Sequence, residues 1–201
     1  RGIMVNELNL TEKHDYQSIS KTKTFTPPST DKEYVFAQLS KNVENACIKV
    51  RRHNLAAKKV FFFLKNQQFK FQGAEIKLSK ITTIPSEILN LVRPYFDKLW
   101  QGKEPYRATG IILSELTNEK TGQLDLFGQS KKDEAMVMVY KNLDNLSAKY
   151  GKHTVFLGSS LLATTSQHNG HRGVQAKRKN NLFQGETKRK RLAIPMLGSV
   201  V

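Results

Sequence analysis

Between Thr30 and Asn54, the residues Val35, Phe36, Leu39, Val43, Cys47 and Val50 recur at the three-and-four spacing of a single helix face, with strand-like segments on both sides. The polar run from Gln17 to Phe25 is rich in Ser and Thr and reads as a strand ended by Pro27-Pro28. Thr30 with Glu33 forms a capping box for the helix that follows. Lys58 to Lys65 is aromatic and branched, Asn66-Gln67-Gln68 breaks it, and Phe69 to Ser79 resumes with alternation, so these segments form a hairpin. Ile88, Val92, Phe96 and Leu99 mark a second helix, in which Pro94 is expected to kink or split the chain near Arg93. Arg107 to Leu116 supplies a fourth strand. The order β-α-β-β-α-β predicts an α+β fold of the split β-α-β kind: a four-stranded antiparallel sheet with both helices on one face and the other face free. An extra helix from about Asp133 to Tyr150 places Met136, Val139, Leu143 and Leu146 on one side and is expected to pack back onto the domain.

Charge bounds what meets the free face. The chain carries 33 Lys and Arg against 17 Asp and Glu, a net +16, which favours a polyanionic partner. From Thr164 onward there are 8 basic residues and one acid, leaving 25 against 16 and a net +9 in the body, so the excess is not confined to the tail. Nucleic acid is favoured over an anionic membrane, because no basic helix with a bulky apolar face is present. No signal peptide opens the sequence, and its longest aliphatic and aromatic run, Val60 to Leu64, is far too short to span a bilayer. A soluble protein follows as the expectation. The single cysteine, Cys47, lies on the helix stripe and reads as a structural thiol in a reducing compartment. The sequence begins at Arg1 without an initiator methionine and is expected to be the later part of a longer protein. The strands would offer Ser18, Ser20, Lys21, Lys23, Lys65, Lys77 and Arg107 or their neighbours on the free face, register deciding which point outward.

The pentapeptide Gln123-Leu124-Asp125-Leu126-Phe127 sets three apolar side chains in a polar stretch between Gly122 and Gly128. It reads as an extended tag that would bury Leu124, Leu126 and Phe127 in a pocket, each contributing roughly 1.5 to 3 kcal/mol before the cost of ordering the loop. Taken alone, Leu-x-Leu-Phe is more often a scrap of core than a docking site.

Together these segments resemble the C-terminal region of a bacterial Y-family translesion DNA polymerase, its little finger domain and tail. The resemblance is carried by Ser18-Ile19-Ser20 with Thr24-Phe25, by Val50-Arg51-Arg52-His53-Asn54-Leu55, by Arg107-Ala108-Thr109-Gly110 and by the pentapeptide, in that order. Arg1-Gly2-Ile3 fits the exit from a thumb domain, and Ala148-Lys149-Tyr150-Gly151 with Thr154-Val155 resembles the end of many bacterial members. The polymerase IV branch and the catalytic subunit of polymerase V both fit, the hairpin and basic tail leaning to the latter. The resemblance divides the chain into a thumb end and linker (1–15), a little finger DNA-binding domain (16–117), a clamp-binding linker (118–130), a C-terminal helix with a short extended segment (131–163) and a basic, largely disordered tail (164–201).

As implications of this resemblance, the sheet grips primer-template duplex through its phosphates, with Ser18, Ser20, Lys21, Lys23, Thr24, Lys58, Lys65, Lys77, Ser79, Arg107 and Thr109 as candidate contacts. The pentapeptide docks on the bacterial sliding clamp, with Gln123 hydrogen bonding at the pocket mouth, Leu126 and Phe127 as anchors and Asp125 outward. The family often has Lys where Gln17 stands, which removes one phosphate contact. Magnesium is expected in a palm domain upstream, so this chain needs no cofactor of its own and should not polymerise alone. Its expected setting is bacterial, cytoplasmic and nucleoid-associated, as a monomer in damage tolerance, with SOS regulatory proteins as further partners.

Rival readings are a free-standing RNA-binding module of the same strand order, and a clamp-interaction protein without DNA binding. Strand three offers Phe69 and Phe71 but lacks the aromatic signature of an RNA recognition motif. His168 and His171 lack Cys or acidic partners for a metal, and the clusters Lys177-Arg178-Lys179 and Lys188-Arg189-Lys190-Arg191 read as nonspecific affinity or solvation. Trp100, Phe61-Phe62-Phe63, Met136 and Met138 read as core.

Overall fold

The computed structural model describes residues 16–102, 104–118, 130–151 and 153–165, the side chains of 130–134 excepted. In chain order the elements are β1 (Ser18–Ser29), α1 (Lys32–Arg52), β2 (Leu55–Asn66), β3 (Phe71–Thr82), α2 (Pro85–Leu99), β4 (Tyr106–Asn118), α3 (Ser130–Tyr150), a 3-10 turn (Gly158–Ser160) and α4 (Leu161–Thr165). The four strands form one sheet in the order β1-β4-β2-β3, each neighbouring pair antiparallel. This is the expected α+β arrangement. α1 and α2 cover one face, burying Val35, Leu39, Val43 and Val50 of α1 and Ile88, Val92 and Phe96 of α2 against Ile19, Val60, Phe62, Leu64, Ile111 and Leu113 of the sheet. Cys47 lies within this layer, where burial pushes its thiol up to about 12 and keeps it protonated.

Three local expectations are corrected. β1 runs through Pro27-Pro28 to Ser29, because it is an edge strand whose pairing with β4 slips between Thr24 and Ser29 and needs no proline N–H. The α1 cap is therefore Asp31 and not Thr30: its Oδ1 accepts from the amides of Glu33 at 3.0 Å and Tyr34 at 3.2 Å. α2 continues unbroken through Pro94. Val92 and Phe96 are fully buried on either side of the proline, and Phe96 packs on Phe36 at 5.0 Å and on Trp100 at 5.7 Å, so tertiary packing holds the helix together where one hydrogen bond is lost.

α3 does pack back, but only part of the expected stripe faces inward. Met136, Val139 and Leu146 are exposed, as is Met138, whereas Leu143 is half-buried and lines a cavity with Glu44, Ile48 and Arg51, and Tyr140 and Asp144 turn towards α1. The cause is Arg51, whose side chain is 4% exposed. Its Nε and Nη2 donate to Asp144 at 2.7 and 2.8 Å, its Nη1 donates to the Thr83 carbonyl at 2.8 Å, and its guanidinium lies over the Tyr140 ring. A buried guanidinium must be paired, and that requirement overrides the apolar stripe. Beyond α3, Thr154-Val155 lie in a bend and Leu157 is extended, and the chain then enters the 3-10 turn and α4. Glu44 Oε1 accepts from the Leu157 amide at 2.9 Å and the Ser160 hydroxyl at 2.8 Å, Ser40 and Ser159 share a hydrogen bond, and Lys41 donates to the Ala163 carbonyl.

Arg51→Ala is expected to cost about 3 kcal/mol by stranding Asp144 and the Thr83 carbonyl, read as a lower urea midpoint at unchanged slope. Burial raises the Glu44 pKa above its unfolded value, outweighing its hydrogen bonds and Lys41. The stability from this group is thus fully present below the unfolded carboxylate pKa and lost as pH rises through the folded value. Glu44→Gln keeps both accepted hydrogen bonds, so its stability relative to the parent should improve as pH rises from about 4 to about 8. Urea midpoints at the two pH values check this.

Candidate nucleic-acid interface

Directly paired residues of an antiparallel sheet point to the same side, so the register sorts every strand residue onto one of two faces. Towards the helices lie the rows Ile19-Leu113-Val60-Ile76, Lys21-Ile111-Phe62-Ala74 and Lys23-Thr109-Leu64-Gln72. The open face carries Ser18-Ser114-Lys59-Lys77, Ser20-Ile112-Phe61-Glu75, Thr22-Gly110-Phe63-Gly73 and Thr24-Ala108-Lys65-Phe71. A column of four hydroxyls thus runs along the β1 edge, aromatic rings occupy the centre, and Lys65 and Lys77 sit towards the other side.

The sequence-predicted contacts divide accordingly. Ser18, Ser20, Thr24, Lys65 and Lys77 stand on the open face, and Ser79 is exposed two residues beyond Lys77. Lys21 and Lys23 alternate with them and point to the helix side, where Lys23 lies near enough to Lys41 to reinforce the lowering of its pKa that burial begins. Their place on the open face is taken by Thr22. Thr109 is fully buried: its hydroxyl donates to the Phe63 carbonyl at 2.9 Å, and its own carbonyl accepts from the Asn42 amide at 3.0 Å. That hydroxyl is a tie inside the domain. Lys58 is exposed at the irregularity between Ala57 and Lys59. Arg107 sits between the Lys65-Ala108 and Asn66-Tyr106 pairs, and its guanidinium lies 4.3 Å from the Phe69 ring centre. Lys59 reaches the open face but is held by Glu75 at 2.9 Å and Glu115 at 3.5 Å.

The aromatic centre was not foreseen. Of the run Phe61-Phe62-Phe63, only Phe62 is core. Phe61 and Phe63 lie across the open face above two glycines: a Cβ at Gly110 would come within 2.5 Å of the Phe63 ring, and one at Gly73 within 2.8 Å of the Phe61 ring. The signal was available in the period of two, since burying Phe62 sends both neighbours outward.

Among the described residues, no group of three or more His, Cys, Asp or Glu could hold a metal ion, and no helix is long and apolar enough to cross a membrane. The pentapeptide Gln123 to Phe127, His168, His171 and the basic clusters lie outside the described residues.

Residues 16–126 match the model of the impB/mucB/samB family C-terminal domain. The chain is 25% identical over 141 residues to DNA polymerase IV of Clostridium acetobutylicum, a match covering 70% of this chain and 35% of that protein. It is 24% identical over 146 residues to Protein UmuC of Salmonella typhimurium, again over 70% of this chain and 35% of that protein. Among solved structures, an insertion ternary complex of Dbh DNA polymerase aligns over 48% of this chain and 28% of that one, with 14% identity and a TM-score of 0.43. The chain spans about a third of the length of the curated relatives it matches.

The glycines beneath the rings generate a graded expectation. At Gly73 a Cβ would also stand 2.5 Å from the Phe62 carbonyl, which is backbone, whereas at Gly110 its nearest neighbours are side-chain atoms, the Phe63 ring and the Thr22 methyl. Gly73→Ala should therefore cost about 2 to 3 kcal/mol and Gly110→Ala about 1, measured by thermal melting.

Proposed function

The chain belongs to the impB/mucB/samB family C-terminal domain, and on that premise we propose that it is the non-catalytic, DNA-gripping and clamp-docking part of an error-prone translesion DNA polymerase in damage tolerance. The observation that carries the reading is the helix-free sheet face, with Ser18, Ser20, Thr22 and Thr24 along one edge and Lys65 and Lys77 across from them. Short hydroxyls and long cations on a rigid sheet suit phosphate oxygens, which position a duplex without reading its sequence. An enzyme copying damaged templates needs that indifference, because a grip on base edges would fail at altered bases. The basic excess of the chain supplies the long-range attraction.

Clamp docking is assigned to Gln123, Leu124, Asp125, Leu126 and Phe127, with Leu126 and Phe127 filling the apolar pocket. Sited beyond β4, such a tag would tether the gripping domain to the clamp while the sheet holds the duplex. SOS regulatory proteins remain proposed partners. Magnesium-assisted nucleotidyl transfer is assigned to a palm domain supplied by the rest of the polymerase, and this chain contributes substrate positioning alone.

Fluorescence anisotropy against blunt duplex DNA and against a bacterial sliding clamp tests both halves. Lys65→Ala with Lys77→Ala should weaken duplex binding alike for unrelated sequences and lower the slope of log affinity on log salt by about 2. Leu126→Ala with Phe127→Ala should abolish clamp binding and leave duplex binding intact. Salt-insensitive duplex binding, or clamp binding equal in the parent and the variant, would contradict the respective half.

A further inference from the structure

The β2-β3 turn presents an aromatic surface that backbone gripping does not require. Phe69 is 57% exposed and Phe71 62% exposed, and Phe71 meets Phe63 edge-on with ring centres 5.4 Å apart. Phe69 holds φ at +65°, a left-handed conformation that a bulky residue rarely adopts and that Gly or Asn would take with less strain. The turn is also tied from several sides. The Asn66 side chain accepts from the Lys70 amide at 2.8 Å and donates to Glu104, the Phe69 amide donates to the Asn66 carbonyl at 3.1 Å, and the Gln67 amide donates to the Pro105 carbonyl at 3.0 Å. An exposed ring is thus fixed in a strained pose by a well-bonded loop, a combination that points to use by a partner.

The surrounding charge identifies the partner's chemistry. Lys65 Nζ lies 4.7 Å from the Phe69 ring centre and 4.5 Å from that of Phe71, and the Arg107 guanidinium lies 4.3 Å from Phe69. Rings flanked by cations on an open sheet match a single nucleic-acid strand, whose bases offer flat faces to the rings and whose phosphates draw the cations. An apolar protein segment would leave the charges of Lys65 and Arg107 unmatched, and a continuous duplex offers a base face only at its two ends. We infer that Phe69 and Phe71, with Lys65 and Arg107, form a stacking site for unpaired bases of a single strand adjoining the duplex. The inference rests on nucleic acid approaching the helix-free face. On entry of a base, Lys65 and Arg107 would exchange ring contacts for the neighbouring phosphates.

The test compares anisotropy on a blunt duplex, the same duplex with a single-stranded overhang, and the overhang strand alone. The protein should bind the overhang substrate about tenfold more tightly than the blunt duplex. Phe69→Ala with Phe71→Ala should erase that excess while changing blunt-duplex affinity much less, the small change reflecting loss of the rings that hold Lys65, and Phe69→Tyr with Phe71→Tyr, which retains the rings, should keep it. Thermal melting of each variant verifies folding. Equal binding of blunt and overhang substrates by the parent, an excess that survives loss of both rings, or equal weakening of both substrates by the alanine variant overturns the site and leaves the duplex reading standing. Ring-dependent binding of the single strand without any binding of blunt duplex would support the site and overturn the duplex reading, and no binding to any of the three overturns both.

Discussion

Parity along β2 is the constraint on which the remaining structure depends. Val60, Phe62 and Leu64 are fully buried beneath the helices, so Phe61, Phe63 and Lys65 can only stand on the opposite face. A slip of one residue would expose three side chains, each worth about 1.5 to 3 kcal/mol when buried, and would drive Lys65 into the core. Pairing passes the same choice on to β4 and from there to β1, where it selects Ser18, Ser20, Thr22 and Thr24 for the open face. The proposed interface is therefore set by the same packing that builds the core.

The C-terminal elements preserve that asymmetry. α3 is fastened to α1 through Arg51 and Asp144, and the 157–163 segment through Glu44, Ser40 and Lys41, all on the helical side. These polar ties, most of them part-buried, select one seating, where apolar contact alone would tolerate several. Among the described residues, every addition to the four-stranded core thickens the helical layer and leaves the sheet face open.

Strand and helix order was legible because the periods were clean: six apolar positions on α1, an aromatic strand, a breaker and an alternating strand. Face assignment was less so. Lys21 and Lys23 share the parity of Ile19 and Phe25, the two buried apolar residues of β1, so the period of two already sets them opposite Ser18 and Ser20; the strand's polar composition hides that signal. Thr109 looked like a free hydroxyl because its acceptor, the Phe63 carbonyl, is 46 residues away in sequence. Pro94 and the α3 stripe misled for a shared reason, since tertiary packing at Phe96 and ion pairing at Arg51 overrode local rules. A uniformly core Phe61-Phe62-Phe63 run conflicts with strict alternation, which excludes three consecutive inward residues.

Methyl-resolved NMR titration with a blunt DNA duplex tests the central claim most directly, because it asks which face the duplex meets. The account predicts shifts in the methyls of Thr22, Thr24, Ala108 and Ile112 on the open face, with those of Val139, Leu146 and Leu161 on the helical side unmoved. Shifts confined to the helical side, with the open-face methyls silent, would contradict it.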